Sequence, residues 1–107
     1  MNSITSNDLV RLQVEGQAIT LIDVRREKAR QSSGCQISRA QWRNPADWLD
    51  WKDHIPKDLP VVVYCAHGHE ISQGLTKVLE AMGLNARFLS GGIAAWQAAG
   101  LPTQPLT

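Results

Sequence analysis

Only one tyrosine, one phenylalanine and two cysteines occur among 107 residues. Two thiols are too few for the disulfide framework of a small secreted domain, so the fold has to rest on a buried core. No run of Lys or Arg is present and the net charge is +1. The electrostatic footprint of a nucleic-acid or membrane-surface binder is therefore missing. The longest apolar run, around Val61-Val62-Val63, is far too short to span a bilayer. Met1-Asn2-Ser3-Ile4-Thr5-Ser6-Asn7-Asp8 has neither the basic nor the apolar part of a secretory signal. These absences predict a cytoplasmic protein with reduced thiols, no membrane contact and no nucleic-acid partner. What is present is ordinary for a single domain that buries its own core: 43% apolar and 20% charged residues, with no internal repeat or low-complexity segment.

The pattern alternates strand and helix, which predicts an α/β fold with a mostly parallel sheet. Ser3-Ile4-Thr5 reads as a short strand. A helix follows with Ser6 as N-cap, Leu9, Val10, Leu12 and Val14 as its apolar face, and Gly16 as its end. Ala18 to Ile22 reads as a buried strand running into Asp23-Val24-Arg25. Arg26 to Gln31 permits a helix that Ser32-Ser33-Gly34 breaks, and Gln36 to Arg43 reads as extended. Pro45 marks a helix start carrying Trp48, Leu49 and Trp51. The turn Pro56 to Pro60 leads into the strand Val61 to Tyr64. Leu75, Val78, Leu79 and Met82 share one face of a helix from about Ser72 to Met82, ended by Gly83. Ala86 to Leu89 is the last strand, Gly91-Gly92 a turn, and Ile93 to Ala99 the last helix. Leu101 to Thr107 reads as a linker-like tail.

The chemistry concentrates in Cys65-Ala66-His67-Gly68-His69-Glu70-Ile71-Ser72. A β-branched strand ends in a cysteine, a short loop follows, and a helix begins. Ligands of open parallel sheets bind beyond the carboxyl ends of strands, where Cys65 falls. Gly68 permits the backbone conformations of a tight cradle, and the small Ala66 leaves room. Loop N–H groups and the positive end of the helix dipole favour a thiolate over a thiol. Such a cradle suits an enzyme that carries a group on sulfur.

Four segments, taken in order, resemble the rhodanese family of single-domain sulfurtransferases. They are Leu21-Ile22-Asp23-Val24-Arg25; Gln36-Ile37-Ser38-Arg39-Ala40, where the family has a His-Ile-Pro-Gly-Ala type of turn; Val62-Val63-Tyr64-Cys65 with its loop; and Leu89-Ser90-Gly91-Gly92-Ile93-Ala94-Ala95-Trp96. The resemblance spans about Ile4 to Pro102, and the loop wording is similar to rhodanese domains associated with chromate-resistance proteins. It implies one rhodanese-like domain over residues 1–107, with a five-stranded, mostly parallel sheet flanked by helices. It further implies that Cys65 is the catalytic nucleophile and carries a persulfide. The persulfide would be held by the loop Ala66, His67, Gly68, His69, Glu70 and Ile71. Asp23 and Arg25 would tie nearby loops together in support. A small-molecule or protein sulfur donor and a thiol or cyanide acceptor would be the partners, with no cofactor and no metal.

One departure bears on the donor. Many members have a basic residue near the position of Glu70 to hold anionic thiosulfate. A carboxylate there repels dianions and opposes ionisation of Cys65, an effect that protonated His67 or His69 would offset. The rival to an enzyme is a non-catalytic or oxidant-sensing module of the same fold that binds a partner. A cysteine phosphatase would need an Arg at the sixth position after the cysteine, which is Ile71. Cys65, His67 and His69 with His54 form a weaker reading as metal ligands, and Cys35 reads as an ordinary free cysteine rather than a resolving thiol. Trp42, Trp48 and Trp51 read as core or pocket wall, and Trp96 as the residue packing its helix on the sheet.

Overall fold

The computed structural model describes residues 2–106. Its central sheet has five parallel strands: β1 (Ser3–Ile4), β2 (Thr20–Asp23), β4 (Gln41–Trp42), β5 (Val61–Tyr64) and β6 (Ala86–Leu89). Their order across the sheet is β1-β6-β5-β2-β4, and β5 pairs with β2 from Thr20↔Val61 to Asp23↔Tyr64. The crossovers carry α1 (Ser6–Val14), α2 (Glu27–Ser33), α3 (Trp48–Trp51), α4 (Glu70–Ala81) and α5 (Gly92–Ala98). This is the α/β architecture expected from the alternating pattern. All pairings within the five-stranded sheet are parallel.

Period-two alternation along β5 divides the core into two layers. Val61, Val63 and Cys65 point towards the layer built with Leu75 and Leu79 of α4. Val62 and Tyr64 point the other way, towards Leu9 of α1 and Ile93 and Trp96 of α5. Cys65 thus lands on the α4 side because it is two residues beyond Val63. Trp96 is fully buried, and its indole N–H donates to the Pro102 carbonyl at 2.8 Å.

Several local expectations shift. Thr5, not Ser6, caps α1: its hydroxyl accepts from the Asp8 N–H at 3.1 Å. Val14 does not join the apolar face but is 80% exposed. It lies five residues after Leu9, about 140° round the helix. The C-terminal segment is not a free linker, since β7 (Thr103–Pro105) pairs antiparallel with β3 (Cys35–Ile37); Thr107 lies outside the described residues. Arg39, at the glycine position of the family-like turn, adopts the left-handed conformation with φ 73°.

The second and third strands are tied by buried charge. Arg25 and Asp23, 2% and 0% exposed, pair at 2.7 Å. The Arg25 guanidinium also donates to Ser33 Oγ and to the Cys35 carbonyl, both at 2.7 Å. Tyr64 donates its hydroxyl to Asp23 at 3.0 Å and accepts from the Ile37 N–H at 3.1 Å. Burial works against the Arg25 charge, but the Asp23 carboxylate outweighs it and raises the guanidinium pKa. Burial and the same carboxylate push the Tyr64 phenol well above its ordinary value. Asp23→Ala leaves a cation in the interior without its counterion. The expected loss of stability in urea unfolding is about 3 kcal/mol or more.

Candidate active site

Cys65 follows β5 directly and is 6% exposed. The chain then turns through Ala66–His69 and enters α4 at Glu70, with His69 as N-cap. The helix starts two residues before the expected Ser72, because Glu70 and Ile71 already adopt its first turn. Ser72 is therefore the third helical residue, and its N–H is one of the donors a helix start leaves free.

The turn depends on two glycines. Gly68 has φ +74°, and a Cβ there would approach the Gly91 nitrogen and the Leu89 oxygen at 2.8 Å. Gly92 has φ +60°, and a Cβ there would collide with the carbonyl oxygens of Cys65 and Ala66. Those carbonyls instead accept from the N–H groups of Ile93 and Ala94, each at 3.0 Å. A further tie comes from the Gln73 side chain, which donates to the Gly68 carbonyl at 2.8 Å.

With two carbonyls engaged on one side, amides of the loop are free to face the sulfur. Burial alone raises the Cys65 pKa, but the Ser72 hydroxyl and the N–H groups of Ser72, His69 and Gly68 outweigh it, and the net shift is downward. Two of these amides lie within the expected span Ala66–Ile71; the third, from Ser72, lies one residue beyond it. The Ser72 hydroxyl sits 3.1 Å from Cys65 Sγ. The sequence reading missed its role, although a serine opening the helix after an anion loop was the available signal. Its hydroxyl turns to the thiol, and the helix start has no side-chain cap hydrogen bond.

A cleft of about 420 Å³ opens over Cys65, lined by Arg25, Arg26, Ala29, Ala66, His67, His69, Glu70 and Ile71. The structure thus brings most of the expected loop to one space. Gly68 is buried beneath it against the Gly91-Gly92 turn. The His67 and His69 rings are exposed, with centroids 6.2 Å apart. Glu70 is exposed in the first turn of α4 and does not reverse the downward shift of Cys65. Arg25 reaches the cleft while its charge is engaged by Asp23, which leaves Arg26 as the exposed cation of the lining.

A larger hollow of about 600 Å³ shares Arg26 and Ile71 with this cleft and has Trp48, Pro45 and Leu75 in its wall, but no cysteine or histidine. Trp48 is thus a pocket wall and Trp51 a core residue. Trp42 donates its indole N–H to the Arg25 carbonyl at 2.9 Å. Among the described residues, Cys65, His67, His69 and His54 form no cluster suited to a metal ion. Cys35 is a free thiol at the start of β3 and accepts from the Gln97 side chain at 3.2 Å.

A buried cysteine at the carboxyl edge of a parallel sheet, ringed by amide and hydroxyl donors, defines a class of α/β proteins built to stabilise negative charge at sulfur. Residues 5–99 match the Rhodanese-like domain, and the chain belongs to that family. The family's kind of chemistry is sulfur transfer. No curated protein matches the chain. Among solved structures, a rhodanese-related protein from Thermoplasma volcanium is 26% identical with a TM-score of 0.84, covering 97% of this chain and 98% of that one. A rhodanese-like domain protein from Staphylococcus aureus is 27% identical with a TM-score of 0.79, covering 90% and 91%. A protein of unknown function from Rhodopseudomonas palustris, described as a possible tyrosine phosphatase, shares the fold at 24% identity and a TM-score of 0.85, covering 97% and 85%.

The donors around Cys65 have a direct consequence for reactivity. The rate of alkylation by iodoacetamide should rise with pH to a midpoint below the ordinary thiol value of about 8.5. A midpoint at or above that value would show that burial, not the donors, governs the sulfur.

Proposed function

We propose that the chain is a sulfurtransferase that carries sulfane sulfur on Cys65. The observation that carries this reading is the thiol itself, buried beneath an open cleft with four donors lowering its pKa. The thiolate attacks the outer sulfur of a donor such as an organic persulfide, RSSH. A bond forms between Sγ and that sulfur, the donor's S–S bond breaks, and its electron pair leaves with RS⁻. An acceptor thiolate then takes the outer sulfur and returns the electron pair to Sγ. No change in net oxidation state is needed, so no cofactor enters the cycle. Ala66, His67, Gly68, His69, Glu70 and Ile71 form the wall and floor that hold the persulfide, and Asp23 and Arg25 support them from β2.

The lining favours a donor of low charge. The Glu70 carboxylate offsets the exposed Arg26, Arg25 is already paired, and Ala29, Ala66 and Ile71 supply apolar surface. A persulfide on a small molecule or a protein fits this better than the thiosulfate dianion. Phosphate-ester hydrolysis is disfavoured because Ile71 occupies the place where a phosphatase needs a guanidinium to clamp its oxygens.

Incubation with a low-molecular-weight persulfide should add one sulfur atom to the intact mass, removable by cyanide and abolished by Cys65→Ser. No adduct with either a persulfide or thiosulfate would overturn the sulfur-carrier reading in favour of a partner-binding or oxidant-sensing module. For the donor, Glu70→Arg should raise thiosulfate turnover several-fold over wild type. Equal or lower turnover would remove Glu70 as the residue that excludes the dianion.

A further inference from the structure

We propose that the Ser72 hydroxyl is a catalytic hydrogen-bond donor to the leaving sulfur, and that it speeds delivery of sulfur from Cys65 rather than its uptake. The inference rests on the sulfur-carrier reading above and assigns a role within it. Ser72 is fully buried, and among the described hydrogen bonds its hydroxyl has one partner, Cys65 Sγ at 3.1 Å. Either atom donates while Cys65 is a thiol. Once Sγ carries the charge, only the serine has a proton to give.

The two halves of the cycle use this bond differently. During uptake, Sγ begins as an anion and loses charge as it bonds to the incoming sulfur. The hydroxyl therefore stabilises the starting state more than the transition state, and it tempers the nucleophile. During delivery, Sγ begins as the neutral inner atom of the persulfide. An acceptor thiolate RS⁻ attacks the outer sulfur of Cys65–S–SH; the RS–S bond forms, the S–S bond to Sγ breaks, and its electron pair stays on Sγ. The products are RSSH and the Cys65 thiolate, with charge conserved. The hydroxyl now faces growing negative charge, so its hydrogen bond strengthens as the barrier is crossed. The Ser72 N–H contributes from the same residue, but a side-chain change leaves that donor in place.

Other groups bear on the same sulfur and have to be held constant. Arg25 and Arg26 face the cleft from the β2–α2 side, His67 and His69 from the loop, and Glu70 from α4. Thr76 lies one turn beyond Ser72, is fully buried, and its hydroxyl has no partner. It offers a control in which a buried hydroxyl is lost without touching the thiol.

The test uses stopped-flow kinetics on the purified chain, with a low-molecular-weight persulfide as donor and a small thiol such as cysteine as acceptor. In Ser72→Ala, which removes one atom from a helix that tolerates alanine, delivery should slow about tenfold, the scale of one hydrogen bond to a charged atom. Uptake measured well above the thiol pKa of both proteins should be unchanged or faster. The pH midpoint of Cys65 alkylation should rise. Ser72→Thr should restore delivery, and Thr76→Val should leave it at the wild-type rate. Equal slowing of both half-reactions, or delivery at the wild-type rate in Ser72→Ala, would overturn the assignment while the sulfur-carrier reading stands. If wild type itself takes up no sulfur, that reading fails and this assignment falls with it.

Discussion

The carbonyl groups of Cys65 and Ala66 accept hydrogen bonds from two N–H groups in the first turn of α5, at Ile93 and Ala94. The geometry of the site depends on this contact. A loop of a few residues cannot point all its polar groups one way. With these two carbonyls held from below, the amides of Gly68 and His69 are left to act on the sulfur above. Two absent side chains make the approach possible. Gly92 lets the start of α5 come up to the carbonyls, and Gly68 lets the loop lie against the Gly91-Gly92 backbone. The start of one helix thus holds the loop, while the start of another, α4, contributes the Ser72 amide to the thiolate.

The sheet supplies the platform, and its middle is fixed by charge as well as packing. Asp23 and Tyr64 are register partners on adjacent strands, and their side chains meet in a hydrogen bond. Arg25 joins them and extends the network to Ser33 and to the Cys35 carbonyl. Such a group is costly to bury unless every member is satisfied. Here each partner answers another, so β2, the end of α2, β3 and β5 have one mutual arrangement. The same pairing engages the charge of Arg25 at the cleft. A cation beside the thiol is therefore not automatically a binding site for an anion.

Low net charge at the cleft, together with a lowered thiol pKa, separates two properties that a simple basic pocket would merge. The thiolate is stabilised by oriented dipoles from the backbone and one hydroxyl, not by a neighbouring full charge. Dipoles hold negative charge at one point without attracting anions over a distance. Such a site lowers the pKa of its thiol without gathering anions from a distance.

Much of this was legible in the sequence because it rests on short-range rules. The α/β alternation, the strand Val61–Tyr64 and the closing glycines of α2 and α4 follow from periodicity and backbone preference. Strand parity also put Cys65 on the face of Val63, since alternate side chains share a side. Other features were decided only by contacts between distant segments. Nothing local made Leu101–Thr107 a strand until β3 offered an edge, and nothing in α1 marked Val14 as exposed except its angle round a helix packed through Leu9. The cysteine loop shows the division most clearly. Its residue types marked Cys65 as the candidate and showed the need for Gly68, because negative charge on sulfur needs donors and a tight turn needs a missing Cβ. Which amides reach the sulfur, and that Ser72 turns its hydroxyl inward, depended on where α4 begins and on α5 arriving from more than twenty residues away. Those are tertiary facts, since a hydrogen bond is set by the meeting of two groups and each group's own neighbours in sequence say nothing of its partner.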